Sequence, residues 1–295
     1  TWSLGQQDTV IAALDRAVAK HADRVFLDFS GELHTYGEVD RLSTRLAHEF
    51  AALGVQAGQT VVTMLDNNIE AVLCWFAINK LCAVSVPINT ALKGEFLRHQ
   101  IADAGAALVI CEVNYIERIA AISDGLPDVN QVLARGTPSQ TTCGSLPLSS
   151  LDDHRGHDDS AFERTPNPWD LACLIYTSGT TGPSKGCMIS YNYMCNLARL
   201  QLRAGPANEN DITITPLPLF HMNAMCVGVL ASILVGARVA FVPRFSVSNF
   251  WPEVERSGAT IASILGSMGA MLANAPDSES GQRCKGQIHT VRGNP

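Results

Sequence analysis

None of the nine cysteines (74, 82, 111, 143, 173, 187, 195, 226 and 284) forms a Cys-x-x-Cys pair. They are odd in number and scattered, and several lie in apolar runs. That is the usage of buried free thiols in a reducing cytosol, not of a disulfide framework. Positive charge is also short: 21 Lys and Arg against 28 Asp and Glu leave a net charge of −7 and a pI near 5.6. There is thus no electrostatic case for a nucleic-acid partner. The most apolar stretch, Met225 to Ala237, is too short for a bilayer span and is followed by Arg238. The start is polar and lacks the basic-then-apolar order of a secretory leader. No internal repeat is evident. No Gly-x-Gly-x-x-Gly follows an early strand, which argues against a dinucleotide-binding oxidoreductase. No Gly-x-Ser-x-Gly elbow occurs either, and Ser178 lacks the glycine two residues before it, so hydrolase chemistry is disfavoured.

What is present centres on residues 171–190, LACLIYTSGTTGPSKGCMIS. Leu171 to Tyr176 reads as a short buried strand. It enters a stretch of Ser, Thr and Gly, then Pro183, Ser184, Lys185 and Gly186, before an apolar patch resumes at Cys187, Met188 and Ile189. Glycines let backbone N–H groups approach an anion, hydroxyls add neutral donors, and a lysine adds a mobile positive charge. Such composition usually marks a plain surface loop. The fixed order of strand, hydroxyl loop and lysine favours a phosphate cradle instead. It is not the P-loop of kinases and GTPases, which places the lysine directly between a glycine and a magnesium-binding hydroxyl. Here Lys185 lies between Ser184 and Gly186.

Around this stretch the pattern alternates. Hydrophobic content of 46% over 295 residues is ample for one large domain or two ordinary ones. A helix is expected over 9–21, a strand over Val25 to Phe29, a turn at Gly31-Glu32 and a second short strand. Thr35 and Glu38 can form a capping box for a helix carrying Leu42, Leu46 and Phe50 inward and ending at Gly54. Strands are expected at 60–65, 83–88 and 108–111, with helices at 69–79, 94–104 and 115–122. After the loop come a helix from Tyr191 to Arg203 capped by Ser190, strands at 211–216, 238–242 and 260–265, and helices at 225–234, about 250–255 and 267–274. Strand–helix alternation predicts an α/β fold of parallel sheets covered by helices on both faces. The chain divides into a first α/β subdomain (1–133), an exposed connector (134–168) and a second α/β subdomain (169–295). If Ser190 caps a helix, the cradle lies near a helix N-terminus, whose partial positive charge suits phosphate.

Two histidine sites need weighing. Residues Asp152 to Asp159 hold two histidines among four carboxylates and can be drawn as a metal site. Arg155 in their middle and the lack of an apolar frame favour a solvated acidic loop. His221, after an apolar strand, is by itself more often a structural residue than a functional one. No Asp or Glu stands beside it in sequence to orient a tautomer, so it is not read as a general base.

The match YTSGTTG…KG resembles the phosphate-binding signature of the adenylate-forming superfamily: acyl-CoA synthetases, luciferases and peptide-synthetase adenylation domains. Pro183-Ser184 departs from the usual order of a variable residue and then proline, while the glycines, threonines and lysine stand in register. PLPLFHMNAM (216–225) resembles the superfamily's next motif, whose aromatic or histidine residue lines and gates the acyl pocket. The resemblance runs from Thr35-Tyr36-Gly37-Glu38 to Phe245-Ser246 and Phe250-Trp251. The segment MLDNNIEAVLCWFAINKLCAVSVPIN (64–89) is similar to the carnitine/crotonobetaine-CoA ligase-like branch.

The resemblance implies two similar α/β subdomains of a large N-terminal domain and an acyl-CoA synthetase reaction. A small carboxylic acid or fatty acid plus ATP gives acyl-AMP and pyrophosphate, and the thiol of CoA then displaces AMP. It also implies that the Thr177, Ser178, Thr180 and Thr181 hydroxyls and the Gly179 and Gly182 backbone hold the β- and γ-phosphates. Lys185 would neutralise the departing pyrophosphate, Mg2+ would bridge phosphate oxygens with Thr181 as its protein ligand, and Phe220, His221 and Asn223 would line the acid pocket. The family's acidic residue on a later Tyr-Gly-x-Thr-Glu segment, its ribose-binding Asp and its C-terminal-domain lysine have no match before Pro295. The chain starts at Thr1 and stops at Gly293-Asn294-Pro295 with no helix or strand closing it, so a piece of a longer cytoplasmic enzyme is expected, with little turnover alone. Two alternatives stay open: a non-catalytic nucleotide- or acyl-binding fragment, and an adenylating enzyme that passes its acyl group to a carrier protein or to oxygen. A homo-oligomer is equally open.

Overall fold

The computed structural model describes residues 3, 5–162, 165–177 and 182–294. The chain opens with α1 (Val10–His21), strands β1 (Val25–Phe29) and β2 (Glu32–Thr35), and α2 (Tyr36–Ala52). Then β3 (Thr60–Met64), α3 (Ile69–Lys80), β4 (Val84–Pro87), α4 (Gly94–Asp103), β5 (Ala106–Glu112), α5 (Ile116–Ala120) and β6 (Gln131–Arg135) alternate. Strands β7 (Thr142–Cys143), β8 (Leu146–Ser150), β9 (Leu171–Thr177) and β10 (Lys185–Ser190) precede α6 (Tyr191–Ala204) and β11 (Ile212–Thr215). A π-helix (Asn223–Leu230) runs into α7 (Ala231–Val235), followed by β12 (Arg238–Phe241), α8 (Val247–Ser257) and β13 (Ile261–Leu265). Helices α9 (Gly266–Ala273) and α10 (Glu279–Arg283) lead to β14 (Thr290–Asn294).

Local chemistry accounts for many of these boundaries. Thr9 caps α1 by accepting from the Ala12 N–H (3.1 Å). The capping box of α2 is formed: the Glu38 N–H donates to Thr35 Oγ1 (3.1 Å) and the Thr35 N–H to Glu38 Oε2 (2.8 Å). The two bonds satisfy donors that a helix start otherwise leaves unpaired. Gly54, at φ +92°, supplies the left-handed turn beyond the end of α2.

Two sheets result. One has eight strands in the order β10-β9-β4-β3-β5-β6-β8-β7, parallel except for the outer pairs β9–β10 and β7–β8. The other has six, β14-β13-β11-β12-β1-β2, with only β2 antiparallel to its neighbour. Side chains alternate across each sheet, as the two-residue period of a strand requires. Val61, Leu108 and Ile110 face a central core while Val62, Val109 and Cys111 face an outer one. In the six-stranded sheet Val239 and Phe241 face the same central core, and Ala240 and Val242 a third. Helices α1, α2, α3 and α6 contribute to the central core shared by the sheets, with α4 and α5 on the outer side of one and α8 on the outer side of the other. Helix α3 is buried on nearly every face, as its apolar sequence demands. Among the described residues no helix is long and apolar enough to cross a membrane.

Four features depart from the sequence reading. The sheets do not divide the chain at residues 133 and 169: β1 and β2 join β12 (Leu27 opposite Val239), and β9 joins β4. Residues 134–168 are not a plain connector, because β7, β8 and a 3-10 turn over Leu151–His154 bury Cys143, Leu146, Leu148 and Leu151. Sparse apolar residues spaced two apart suffice for such an edge. The patch Cys187 to Ile189 belongs to a strand, β10, paired antiparallel to β9. The last described residues also form a strand, since β14 pairs with all of β13.

Candidate functional site

Parallel α/β sheets bind ligands beyond the carboxyl ends of their strands, and β9 ends there at Thr177. The buried run of β9 returns as β10, with Lys185 opposite Thr177 and Gly186 opposite Tyr176. A Cβ at Gly186 would meet the Tyr176 ring at 3.3 Å, so the glycine lets that ring lie across the hairpin. Ser178, Gly179, Thr180 and Thr181 lie outside the described residues. Thr177 and Gly182 flank them, both exposed. Lys185 is exposed, and among the described residues its ammonium makes no hydrogen bond or ion pair. Because β10 intervenes, the N-terminus of α6 lies at the far end of the hairpin, where Ser190 pairs with Leu171. Ser190 does cap α6 by accepting from the Tyr193 N–H (3.2 Å). The expected help from that helix's dipole is therefore absent: the effect falls off within a turn.

Helix α4 takes the bracing role. His99 Nε2 lies 2.8 Å from the Ser184 carbonyl oxygen, Gln100 Nε2 donates to Ser184 Oγ (3.1 Å), and Tyr176 OH donates to Asp103 Oδ2 (2.7 Å). Burial, and then the Asp103 carboxylate, push the Tyr176 phenol upward, so the ring stays a neutral donor. The hairpin is thus tied to α4 at three points, two at Ser184 beyond the loop and one at Tyr176 before it. Nothing in the sequence of α4 announces this, since His99, Gln100 and Asp103 are ordinary residues for an exposed helix face.

A cleft of about 290 Å3 opens beside the hairpin. Its walls are Pro87 at the end of β4, Asn89 and Leu92 after it, Phe96 and Gln100 of α4, Ile175 and Tyr176 of β9, Gly182 and Ser184 of the loop, and Phe220 and His221. Two segments singled out separately in sequence, 171–190 and 216–225, therefore meet in one cavity. Phe220 and His221 stand ring to ring, 4.7 Å between centroids and tilted by 50°. Desolvation lowers the His221 pKa below its ordinary value, which favours a neutral imidazole at pH 7. Behind Phe220 lies a much smaller cavity, about 10 Å3, lined in part by Thr63, Ser85, Trp75 and Met225. That is room for about one water. The indole N–H of buried Trp75 has no partner among the described residues.

Asn223 sits elsewhere. It opens the π-helix, accepts from Ser263 Oγ of β13 (3.2 Å) and does not line the cleft. The π-helix itself went unread, because its apolar run has no strong α or β period to betray the wider turn; such turns cluster at functional sites. Among the described residues no group of three His, Cys, Asp or Glu could hold a metal ion. In the 152–159 stretch, Arg155 binds Asp152 (2.7 Å) and Glu70 (2.9 Å), His154 meets Ser149 (3.0 Å), and Asp159 meets Arg45 (3.0 Å).

Known proteins supply the remaining observation. A family model of AMP-binding enzymes matches residues 14–292. A probable CoA ligase of Humulus lupulus, CCL9, is 29% identical over 257 residues, covering 85% of this chain and 48% of its own. The crotonobetaine/carnitine–CoA ligase of Salmonella arizonae is 24% identical over 277 residues, covering 90% and 52% respectively. The chain spans about half the length of these curated relatives. In fold it matches the anthranilate CoA ligase AuaEII, solved with anthranoyl-AMP, at a TM-score of 0.84 and 24% identity, over 91% of this chain and 52% of that one.

Proposed function

Since the chain belongs to the AMP-binding enzyme family, we propose that it forms the nucleotide and acid site of an ATP-dependent acid–thiol ligase. The observation that carries this reading is the single cleft joining Gly182 and Ser184 of the hydroxyl-rich loop to Phe220 and His221. Relatives named as CoA ligases and a shared fold with a protein solved around an acyl-AMP support it.

The reaction sets the chemical demands. A carboxylate oxygen bonds to the α-phosphorus of ATP while the bond to the β-phosphate oxygen breaks and pyrophosphate leaves. The sulfur of CoA then attacks the acyl carbon, AMP leaves with the bridging oxygen, and the thiol proton passes to solvent. Both partners in the first step are negative, so neutralisation and positioning supply most of the catalysis. We assign the hydroxyls of Thr177, Ser178, Thr180 and Thr181 and the backbone of Gly179 and Gly182 to the β- and γ-phosphates. Lys185 neutralises the charge that gathers on pyrophosphate. Phe220 and His221 wall the acid, and an uncharged His221 leaves the substrate carboxylate unpaired and nucleophilic. Asn223 acts on the acid pocket only through the π-helix it opens.

The residues present fit magnesium that arrives with the nucleotide: they offer hydroxyls, one lysine without a partner among the described residues, and no described carboxylate cage. Mg2+ keeps several waters and binds largely through phosphates; when bound it would offset phosphate charge, with Thr181 as its protein contact. Nine cysteines, odd in number and without a Cys-x-x-Cys pair, fit a reducing compartment such as the cytoplasm. The chain alone would turn over little, since it spans about half of its relatives.

The test is carboxylate-dependent exchange of labelled pyrophosphate into ATP by the full-length protein, with 4-coumarate, oxalate, crotonobetaine and a long-chain fatty acid. Exchange with one of them establishes adenylation. Its absence with ATP binding intact turns the reading to a nucleotide-binding protein. CoA-dependent AMP release then distinguishes CoA from a carrier protein as acceptor.

A further inference from the structure

Between the end of β11 and the π-helix, residues 216–222 belong to no strand, yet Phe220 and His221 must hold their place on the cleft wall. One side chain meets two of that segment's backbone groups and a third from beyond it. Asn67 Nδ2 donates to the carbonyl oxygens of Leu217 (3.0 Å) and Val242 (3.2 Å), and Asn67 Oδ1 accepts from the Leu219 N–H (2.9 Å). Asn67 follows β3 of the eight-stranded sheet, whereas Leu217 and Val242 follow β11 and β12 of the six-stranded one. A single amide therefore ties the two sheets together at their carboxyl ends.

Its own position is fixed from both sides. The Asp66 N–H (3.1 Å) and Asn68 Nδ2 (2.7 Å) donate to the same oxygen of Glu112, and Arg135 holds the other oxygen (3.2 Å). Tyr115 OH donates to Asp66 Oδ1 (2.9 Å), and Asn68 Oδ1 caps α3 by accepting from the Ala71 N–H (3.1 Å). With both neighbours anchored, the Asn67 amide is a rigid bracket rather than a loose surface group.

We propose that Asn67 is a positioning residue of the acid pocket: it sets where Phe220 and His221 stand over the cleft without touching the acid. The proposal rests on the reading of this cleft as the acid site. Only a side chain with both donor and acceptor can meet two carbonyls and an N–H from one point. Aspartate keeps the acceptor and loses both donated bonds; alanine loses all three.

The test combines hydrogen–deuterium exchange with kinetics on the full-length protein and its Asn67→Ala and Asn67→Asp variants. In Asn67→Ala, the amides of residues 219–222 exchange about tenfold faster, the loss of roughly one net hydrogen bond, while β11 and β12 keep their protection. In Asn67→Asp the Leu219 amide stays protected. KM for whichever of the four acids exchanges pyrophosphate fastest rises about fivefold or more in both variants, and KM for ATP stays within about twofold. Unchanged exchange at 219–222 in both variants overturns the proposal. So does acceleration throughout both sheets, or an equal rise in the two KM values. Should no acid support pyrophosphate exchange, the ligase reading falls, while the deuterium data still decide whether Asn67 holds the segment.

Discussion

Lys80 and Lys185 carry the same charge into opposite surroundings. Lys80 ends α3 with only 7% of its surface exposed, and its ammonium donates to Asp40 Oδ1 (2.6 Å), the Asp40 carbonyl (2.9 Å) and Thr44 Oγ1 (2.5 Å). Three acceptors for three donors replace the water it gives up, as a buried charge requires. Lys185 opens β10 in solvent, with no partner among the described residues. The protein has more carboxylates than cations, yet none of the described carboxylates pairs with Lys185. The first lysine joins α2 to α3; the second keeps its charge available to a ligand. Burial and neighbours, not residue type, separate the two roles.

The sharpest way to break this contrast is to remove each charge in turn. Lys185→Ala is expected to slow pyrophosphate exchange by about a hundredfold or more, the scale of losing one charge-stabilising group, with the melting temperature unchanged. Thioester formation from preformed acyl-AMP loses less; an equal loss in both half-reactions would remove Lys185 from the pyrophosphate. Lys80→Met is expected to do the reverse. Leaving the partly exposed Asp40 unpaired costs about 2 kcal/mol, below the range for a fully buried pair, read from urea unfolding. Exchange per folded molecule stays within about twofold. Should Lys80→Met abolish exchange at unchanged stability, the division between structural and functional lysine fails.

Smaller effects sharpen the picture of the hairpin and its wall. Tyr176→Phe removes the bond to Asp103 and lowers stability by about 1 kcal/mol; KM for ATP rises because the hairpin that carries the loop loses one of its three ties to α4. Unaltered KM with that stability loss would mean that α4 braces the sheet but not the loop. The slightest effect concerns pH. Desolvation holds the folded His221 below its ordinary pKa of 6.5, so below that pH the unfolded chain binds the proton first. Stability is full above about 6.5 and declines as pH falls toward the folded value, where the loss levels off. His221→Gln is expected to flatten that decline in melting temperature between pH 7.5 and 5.5; an unaltered slope would assign the decline to other groups.

Much of the architecture was legible because its causes are local. Thr35 and Glu38 stand three apart and cap α2 as their spacing demands. Val61 and Val62 point to different cores because a strand alternates. The loop stood out because strand, glycines, hydroxyls and lysine are contiguous. Where pairing is distant, the reading stopped. Nothing near Leu27 shows that its neighbour is Val239. Between Lys185 and Ser190 the apolar patch is only three residues long, too short to declare a strand; the register with β9 makes it one. For the site, the sequence brought forward the loop and Phe220-His221 but offered no sign of His99, Gln100 or Asp103, whose roles exist only where α4 touches the hairpin. Asn67 is likewise an unremarked residue in an Asp-Asn-Asn turn until two sheets bring three backbone groups within its reach.

Sequence alone determined the alternation of strands and helices, the helix caps, the chemistry of the phosphate loop and the family it belongs to, since each depends on residues within a few positions of one another. Tertiary structure alone decided that β1 joins the sheet of the later strands and β9 that of the earlier ones, that the α6 N-terminus lies away from the loop, and that Ser184 and Phe220 share one cleft. Those outcomes depend on which surfaces pack together, and packing is settled by burial across the whole chain at once, not by any window of it.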